Sequence, residues 1–416
     1  MKKISKILIV IIILVLLLLV TIYLYPKNKN NSKNNYITLS NLTGLTLNEA
    51  NNYAKANNIN LNILYEYNLD INKDIVISQD IPAGTNLNEL DKLNITVSKG
   101  TIPDEIYQEN NVNELGNVPI MMYHGIVNIT NSETNYIGGN VDKDGYNRTT
   151  ESFRNDLEFY YQKGYRMIKL NDYINGKIDV ELGKSPIILT FDDGNPNNFN
   201  VLGEENGQLI IDPNCAVGIL EEFKAKYPDY NVTATFFVNS ALFSQEKYNE
   251  KILKWLITNG YDIGNHTMTH CDFTKITKEQ TIKEVGGLYQ LLEKIIPNDY
   301  VPIIALPFGS PYQKNNTNYA SILNGTYQDF TYETKGALRV GWESSPSCFS
   351  SDFDPTYLKR IRAYDNNGVE FDIEMNFKIL EQTKYISDGN TNTIVIPSTN
   401  ESYLNNQFDN LKIITY

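Results

Sequence analysis

Cysteine is nearly absent: Cys215, Cys271 and Cys348 are the only three in 416 residues. An odd, sparse set excludes a disulfide framework. No two of them form a C-x-x-C pair, which excludes a zinc–thiolate site. Cys271 directly follows a histidine and is read as packing. Basic charge is also short, with 36 Lys and Arg against 49 Asp and Glu and a formal net charge of −13. No basic patch is left for nucleic acid, which is excluded as a partner; the acidity suits a soluble surface. Histidine is equally scarce. The three, His124, His266 and His270, stand at positions that scarcity makes informative.

One long apolar run is present. Residues 7–25 carry no charge, and 19 residues suffice for a bilayer core about 30 Å thick. Lys2, Lys3 and Lys6 precede the run, so the positive-inside rule leaves the remainder outside the cell. A cleaved signal peptide would have small residues at its end, whereas Tyr23, Leu24, Tyr25 and Pro26 follow here. The expectation is an uncleaved, single-pass membrane anchor at 1–25, with an extracellular catalytic domain at the cell membrane. Residues 26–36, polar and Asn-rich, read as a flexible spacer.

Residues 37–100 read as a compact unit. Thr46 followed by Glu49 has capping-box spacing and predicts a helix to about Asn57. Strand-like pieces follow at 61–67, 75–78 and 93–97, giving the order β-α-β-β-β. Residues 101–117 read as a second linker. From Val118 to residue 416, strands alternate with amphipathic helices, the pattern of an α/β domain. Phe153, Leu157, Tyr160 and Tyr161 share a helical face that Gly164 ends. Residues 187–191, 233–238 and 261–263 read as strands, with a helix capped by Ser244 and closed by Gly260 between the last two. Repeated β-α-β units bring the C-terminal ends of their strands to one rim, where barrels of this type hold their chemistry.

Two clusters fall at strand ends. Asp192 and Asp193 follow the strand at 187–191, and Gly194 permits a sharp turn there. His266 and His270 form H-x-x-x-H after the strand at 261–263 and can share a metal. Two histidines and one carboxylate leave coordination positions open for water and substrate, while the second aspartate is free to act as a base. Either cluster alone is more often a plain turn or a surface pair; together, in this order, they point to a metal site.

The residues carry two family resemblances. The opening LSNLTGLTLNEA, the central VISQDIPAGT and the closing ITVSKG of segment 37–100 resemble a PASTA domain. Such domains occur on bacterial wall enzymes and kinases, and this copy either binds the wall or acts as a spacer. TFDDG at 190–194, ATFFV at 234–238, HTMTH at 266–270 and ALPFG at 305–309 resemble the motifs of the NodB-homology polysaccharide deacetylases, carbohydrate esterase family 4. That likeness covers Val118 to about Tyr312 and implies a distorted (β/α) barrel that removes acetyl groups from N-acetylated sugars. Two departures stand out. Ala305 occupies the place of the arginine that normally orients the catalytic aspartate, and the late L-x-H motif is missing. VPIMMYHGI at 118–126 resembles the early P-V-L-x-Y-H strand of a circularly permuted subgroup, the poly-N-acetylglucosamine enzymes.

The resemblance implies roles residue by residue. Asp193, His266 and His270 would bind a divalent metal, zinc by expectation. Asp192 would be the general base and His124 the general acid. Pro307, Phe308 and Gly309 would bind substrate, with a backbone N–H near Phe308 holding the oxyanion. The implied substrate is peptidoglycan or another N-acetylated polysaccharide. Two alternatives stay open at this point: a catalytically weak wall-binding protein that keeps the metal site, and another metal-dependent amidohydrolase. The stretch 199–212, with Glu205-Asn206-Gly207 between apolar runs, predicts a hairpin that either walls the groove or is a neutral insertion. Trp342 and the RIRA at 360–363 stand as candidates for the far side of the groove, but Trp342 is read first as core and the arginines are given no role.

Overall fold

The computed structural model of the chain describes residues 37–87, 90 and 92–416. The expected anchor and the spacer behind it lie outside the described residues. Among the described residues, no helix is long and apolar enough to cross a membrane. The chain divides into two units, one ending at Ile102 and one starting at Pro103.

In the first unit the Thr46 hydroxyl accepts from the Glu49 N–H, and the Glu49 carboxylate accepts from the Thr46 N–H. This reciprocal capping box starts the helix Leu47–Ala56. Lys92–Ser98 is the central strand, parallel to Asn60–Glu66 and antiparallel to Val76–Gln79. Leu93, Ile95 and Val97 alternate onto one face and pack on Ala50 and Ala54 of the helix. The expected first strand is reduced to a single bridge between Thr38 and Asn86.

Eight short strands build the sheet of the second unit: β1 (Ile120–Tyr123), β2 (Tyr165–Met167), β3 (Ser185–Phe191), β4 (Thr235–Val238), β5 (Asp262–Asn265), β6 (Ile303–Ala305), β7 (Gly336–Leu338) and β8 (Ile361–Arg362). Their order is β7-β6-β5-β4-β3-β1-β8, with β2 beside the first half of β3, and every pairing is parallel. The sheet curls into a half-barrel. Its two ends approach each other through the segment leading into β8, where Leu358 bridges Leu338 of β7.

Parallel strands covered on both faces must be apolar throughout, and β3 is buried at all seven positions. The period of two then sorts its side chains. Ile187, Leu189 and Phe191 join the outer core, with Phe153 and Leu157 of α1 (Thr150–Gln162), Leu220 and Phe223 of α2 (Ala216–Lys226), Leu253 of α3 (Asn249–Thr258), Leu288 of α4 (Lys278–Ile295) and Phe377 of α5 (Ile373–Thr383). Ile188 joins the inner core with Ile120, Phe237, Ile303 and Leu338. Phe191 stacks between Tyr123 at 5.3 Å and Phe236 at 5.0 Å. A buried aromatic of this kind contributes about 3–5 kcal/mol relative to alanine. Thr190 and Asp192 continue the inner face toward the rim.

Three expectations need correction. Residues 103–117 are mostly packed, not a free linker. Tyr107 is buried on the helix Asp104–Asn110, and the buried Glu114 carboxylate accepts from the Tyr385 hydroxyl and the Val395 N–H, both at 2.7 Å. Polar residues read as a linker are here satisfied by the C-terminal region. Ser244 does not cap a helix, because residues 239–248 turn on themselves and α3 begins at Asn249. Trp342 is 48% exposed and leans on Phe371 instead of entering the core. The hairpin forms as Val201–Glu205 with Gln208–Ile211, and Asn206 and Gly207 both take the positive φ that a tight turn needs. It is tied to the α3 side by Gln245 and by the Lys251–Glu204 ion pair.

Candidate active site

The strand ends of β1, β3 and β5 and the loop after β6 converge on a cavity of about 370 Å³. His124, Asp192, Asp193, His266, His270 and Phe308 all line it, together with Tyr146, Asn147, Asn195, Leu306 and Val340. Pro307 and Gly309 do not line it. They are buried in the turn that presents Phe308, whose ring stands 4.7 Å from that of His270.

The two aspartates separate because the chain turns between them. Asp192 extends the inner face of β3 and is 1% exposed. Asp193 takes φ +77° and Gly194 φ +61°, which swings the second carboxylate onto the rim. Asn239 holds this turn by donating to the Asp193 carbonyl at 3.0 Å. A Cβ at Gly194 would meet the Leu242 carbonyl oxygen at 2.4 Å, so glycine is required there. Thr267, His270 and Phe308 also hold positive φ, and strained backbone of this kind clusters at working sites.

Asp193 Oδ1 lies 3.2 Å from His266 Nε2 and 3.4 Å from His270 Nε2. Ligand atoms of all three residues fall within 4.8 Å of one another. His266 Nδ1 bonds the Ala305 carbonyl at 2.8 Å, which leaves Nε2 to face the cluster. That Nε2 is buried, and its approach to Asp193 lacks hydrogen-bond alignment. An orphaned buried nitrogen beside a carboxylate and a second imidazole is what a divalent-cation site requires. Cys271 stands outside this cluster. It is half-buried, and burial pushes its thiol up to about 12.

The arginine expected at position 305 comes from elsewhere. Arg360, fully buried just before β8, grips Asp192 with both terminal nitrogens, Nη1 to Oδ1 and Nη2 to Oδ2 at 2.7 Å each. Its Nε donates to the Arg339 carbonyl at 2.8 Å, and Nη1 also reaches the Thr190 hydroxyl at 3.2 Å. Burial alone would raise the Asp192 pKa, but the Arg360 guanidinium and the neighbouring histidines outweigh it and hold the carboxyl well below the usual range. The sequence reading missed Arg360 because it belongs to no motif and stands 168 residues from its partner.

His124 ends β1 with Nε2 4.0 Å from Asp192 Oδ2, and it stands outside the three-residue cluster. Its carbonyl accepts from Asn198 Nδ2 at 2.6 Å, and its ring meets Tyr146 edge-on at 4.9 Å. Burial holds its pKa down, partly offset by Asp192 and Asp193. His124 thus lies near Asp192 but outside the Asp193–His266–His270 group. The hairpin at 201–211 does not line this cavity.

Residues 179–327 match the family model for polysaccharide deacetylase, and residues 37–99 match that for the PASTA domain. The chain carries a polysaccharide deacetylase domain and a PASTA domain. The deacetylase match includes Asp192, Asp193, His266 and His270 but stops short of both His124 and Arg360. Peptidoglycan-N-acetylmuramic acid deacetylase PdaC of Bacillus subtilis is 30% identical over 128 residues, 31% of this chain and 22% of that protein's length. Among solved structures, Streptococcus pyogenes deacetylase PplD in complex with acetate aligns at 21% identity and a TM-score of 0.45, covering 64% of this chain and 97% of that one. A de-N-acetylase from Aggregatibacter actinomycetemcomitans aligns at 13% identity and a TM-score of 0.38, covering 58% and 93%.

The buried pair in the deacetylase domain makes a separable prediction. Arg360→Met leaves the Asp192 carboxylate buried and unpaired, which should cost about 3–5 kcal/mol of stability. The double variant Arg360→Met, Asp192→Asn should recover most of that loss in urea unfolding while remaining without activity. A single variant as stable as the wild type would show that the pair contributes nothing to the fold.

Proposed function

We propose that this chain is a metal-dependent N-deacetylase of a cell-wall or surface polysaccharide, peptidoglycan first among the candidates. The observation that carries the reading is the single cavity lined by a three-residue metal cluster, an Arg-paired carboxylate and a third histidine. The family match, the PASTA domain and the muramic acid deacetylase relative support the wall substrate. Asp193, His266 and His270 would hold the cation, with zinc suited to this donor set. Such a cation, when bound, polarises the acetyl carbonyl and makes its water a better nucleophile.

The chain's own residues supply the rest. Arg360 keeps Asp192 ionised and fixed in orientation, so a carboxylate is always ready to take the proton of the attacking water. His124, across from Asp192, stands where it can give a proton to the sugar nitrogen as the amide breaks. Phe308, 55% exposed beside His270, offers an apolar face to the acetyl methyl or the sugar ring. The weakly catalytic, wall-binding alternative rested on Ala305 and on the divergent late motifs. Arg360 beside Asp192 speaks against the first of these grounds.

Acetate release from peptidoglycan fragments and chitooligosaccharides, with the metal removed by chelation and then restored as zinc, tests the reading. Restoration should return activity lost on chelation. His124→Ala should keep metal binding and lower kcat by about 10²–10⁴. Asp193→Ala should lose the metal. Full activity in His124→Ala would remove the acid assignment, and activity indifferent to chelation would remove the metal.

We further propose that residues 1–25 anchor the protein in the cell membrane with the catalytic domain outside. The 19-residue uncharged run and the lysines before it support this. The protein should sediment with membranes, and protease added to intact cells should cleave it. A soluble secreted form with a new N-terminus would instead show a cleaved leader.

A further inference from the structure

The chain has six arginines. Four of them, Arg148, Arg154, Arg166 and Arg360, are paired with carboxylates. Arg339 donates to the Tyr357 hydroxyl. Arg362 has neither kind of partner among the described residues. Its guanidinium packs only on aromatic faces, 5.3 Å from the Tyr146 ring and 4.5 Å from the Tyr364 ring. In a protein with a formal charge of −13, a half-buried guanidinium without a counter-charge is conspicuous.

Its place in the fold gives that cation a use. Arg362 pairs with Met122 across the parallel β8–β1 ladder. Side chains two residues apart on a strand share a face, so Arg362 lies on the Arg360 face and Met122 on the His124 face. Arg360 reaches Asp192 and His124 lines the cavity, so this shared face is the one that opens on the site. Tyr146 links the two directly: its ring lines the cavity, meets His124 at 4.9 Å and carries Arg362 on its other contact. Those two ring contacts bound the distance from His124 to the guanidinium, and a disaccharide spans it. Packing on two rings restricts where the fork can point, which favours a bidentate bond to an oxyanion.

We propose that Arg362, held between Tyr146 and Tyr364, binds an anionic group on the glycan next to the acetamido sugar being processed, and that the preferred substrate is therefore an acidic glycan. The acetamido sugar rests on the deacetylase reading; the anion site does not. A sugar-borne carboxylate and a phosphate monoester both present the oxygens that such a fork recognises.

The test compares four tetrasaccharides with the full chain: neutral chitotetraose, an analogue with a lactyl carboxylate on alternate sugars, its methyl ester, and a phosphorylated chitotetraose. Binding to the metal-free protein is measured by calorimetry, and acetate release by the zinc-loaded protein is measured alongside. The wild type should bind at least one anionic ligand about tenfold or more tighter than the neutral pair, and the carboxylate and phosphate arms say which anion is meant. Arg362→Gln should collapse that ratio toward one, mainly through KM, and Arg362→Lys should restore part of it. Thermal melting of Arg362→Gln within a few degrees of the wild type shows that the variant is folded; if it is not, the methyl ester against the free acid on the wild type decides. Equal binding of acid and ester, or a preference that survives Arg362→Gln, overturns the proposal. Acetate release without anion preference leaves the deacetylase reading standing and removes the anion site. Anion preference without acetate release from any arm does the reverse.

Discussion

A carboxylate and a guanidinium taken out of water together each lose several kcal/mol of solvation, and only close, two-pronged contact recovers it. The Asp192–Arg360 pair meets that condition with two bonds of 2.7 Å and further bonds from Arg360 to a threonine hydroxyl and a backbone carbonyl. Much of the second unit depends on it. The pair ties the end of β3 to the segment that closes the sheet, so the closing strand and the Asp192 carboxylate are ordered by one interaction. It also fixes the charge of Asp192, around which His124 and the metal cluster are arranged.

The alternation of side chains along parallel strands explains why these groups meet at all. One face of each strand is committed to the helices, as with Leu189 and Phe191 of β3 and Tyr123 of β1. The other face fills the inside of the curled sheet and ends at the rim, where His124 follows β1 and Asp192 follows β3; Arg360, at the start of β8, reaches Asp192 from inside the sheet. The loops above this rim complete the cavity, among them the one that presents the exposed Phe308. The PASTA domain forms a separate unit of the same chain.

What could be read in the sequence follows from locality. Thr46 and Glu49 are three residues apart, and their capping box forms as read. Asp192, Asp193 and His266 sit one or two residues past a strand and His270 five residues past one, and the geometry brings them to one cavity with His124. Arg360 was out of reach because β8 is two residues long and its partner is set by how the sheet closes. Residues 103–117 looked like a linker because Glu114 and Asn113 are polar, yet both are satisfied by residues more than 250 positions later. Trp342 was misplaced because size and apolarity favour the core in general, while here the ring stays half-exposed against Phe371. Position 305 misled for a different reason: the motif specifies a residue, whereas the chemistry specifies a positive charge facing Asp192.

The most direct test of this account is a zinc-anomalous diffraction measurement on the metal-loaded protein. The account predicts one strong peak in the cavity, within about 2.0–2.2 Å of an Asp193 oxygen and of Nε2 of both His266 and His270. Asp192 should still be gripped by Arg360, and His124 should remain unligated on the far side. A peak ligated by Asp192 or His124, or none in this cavity, would contradict it.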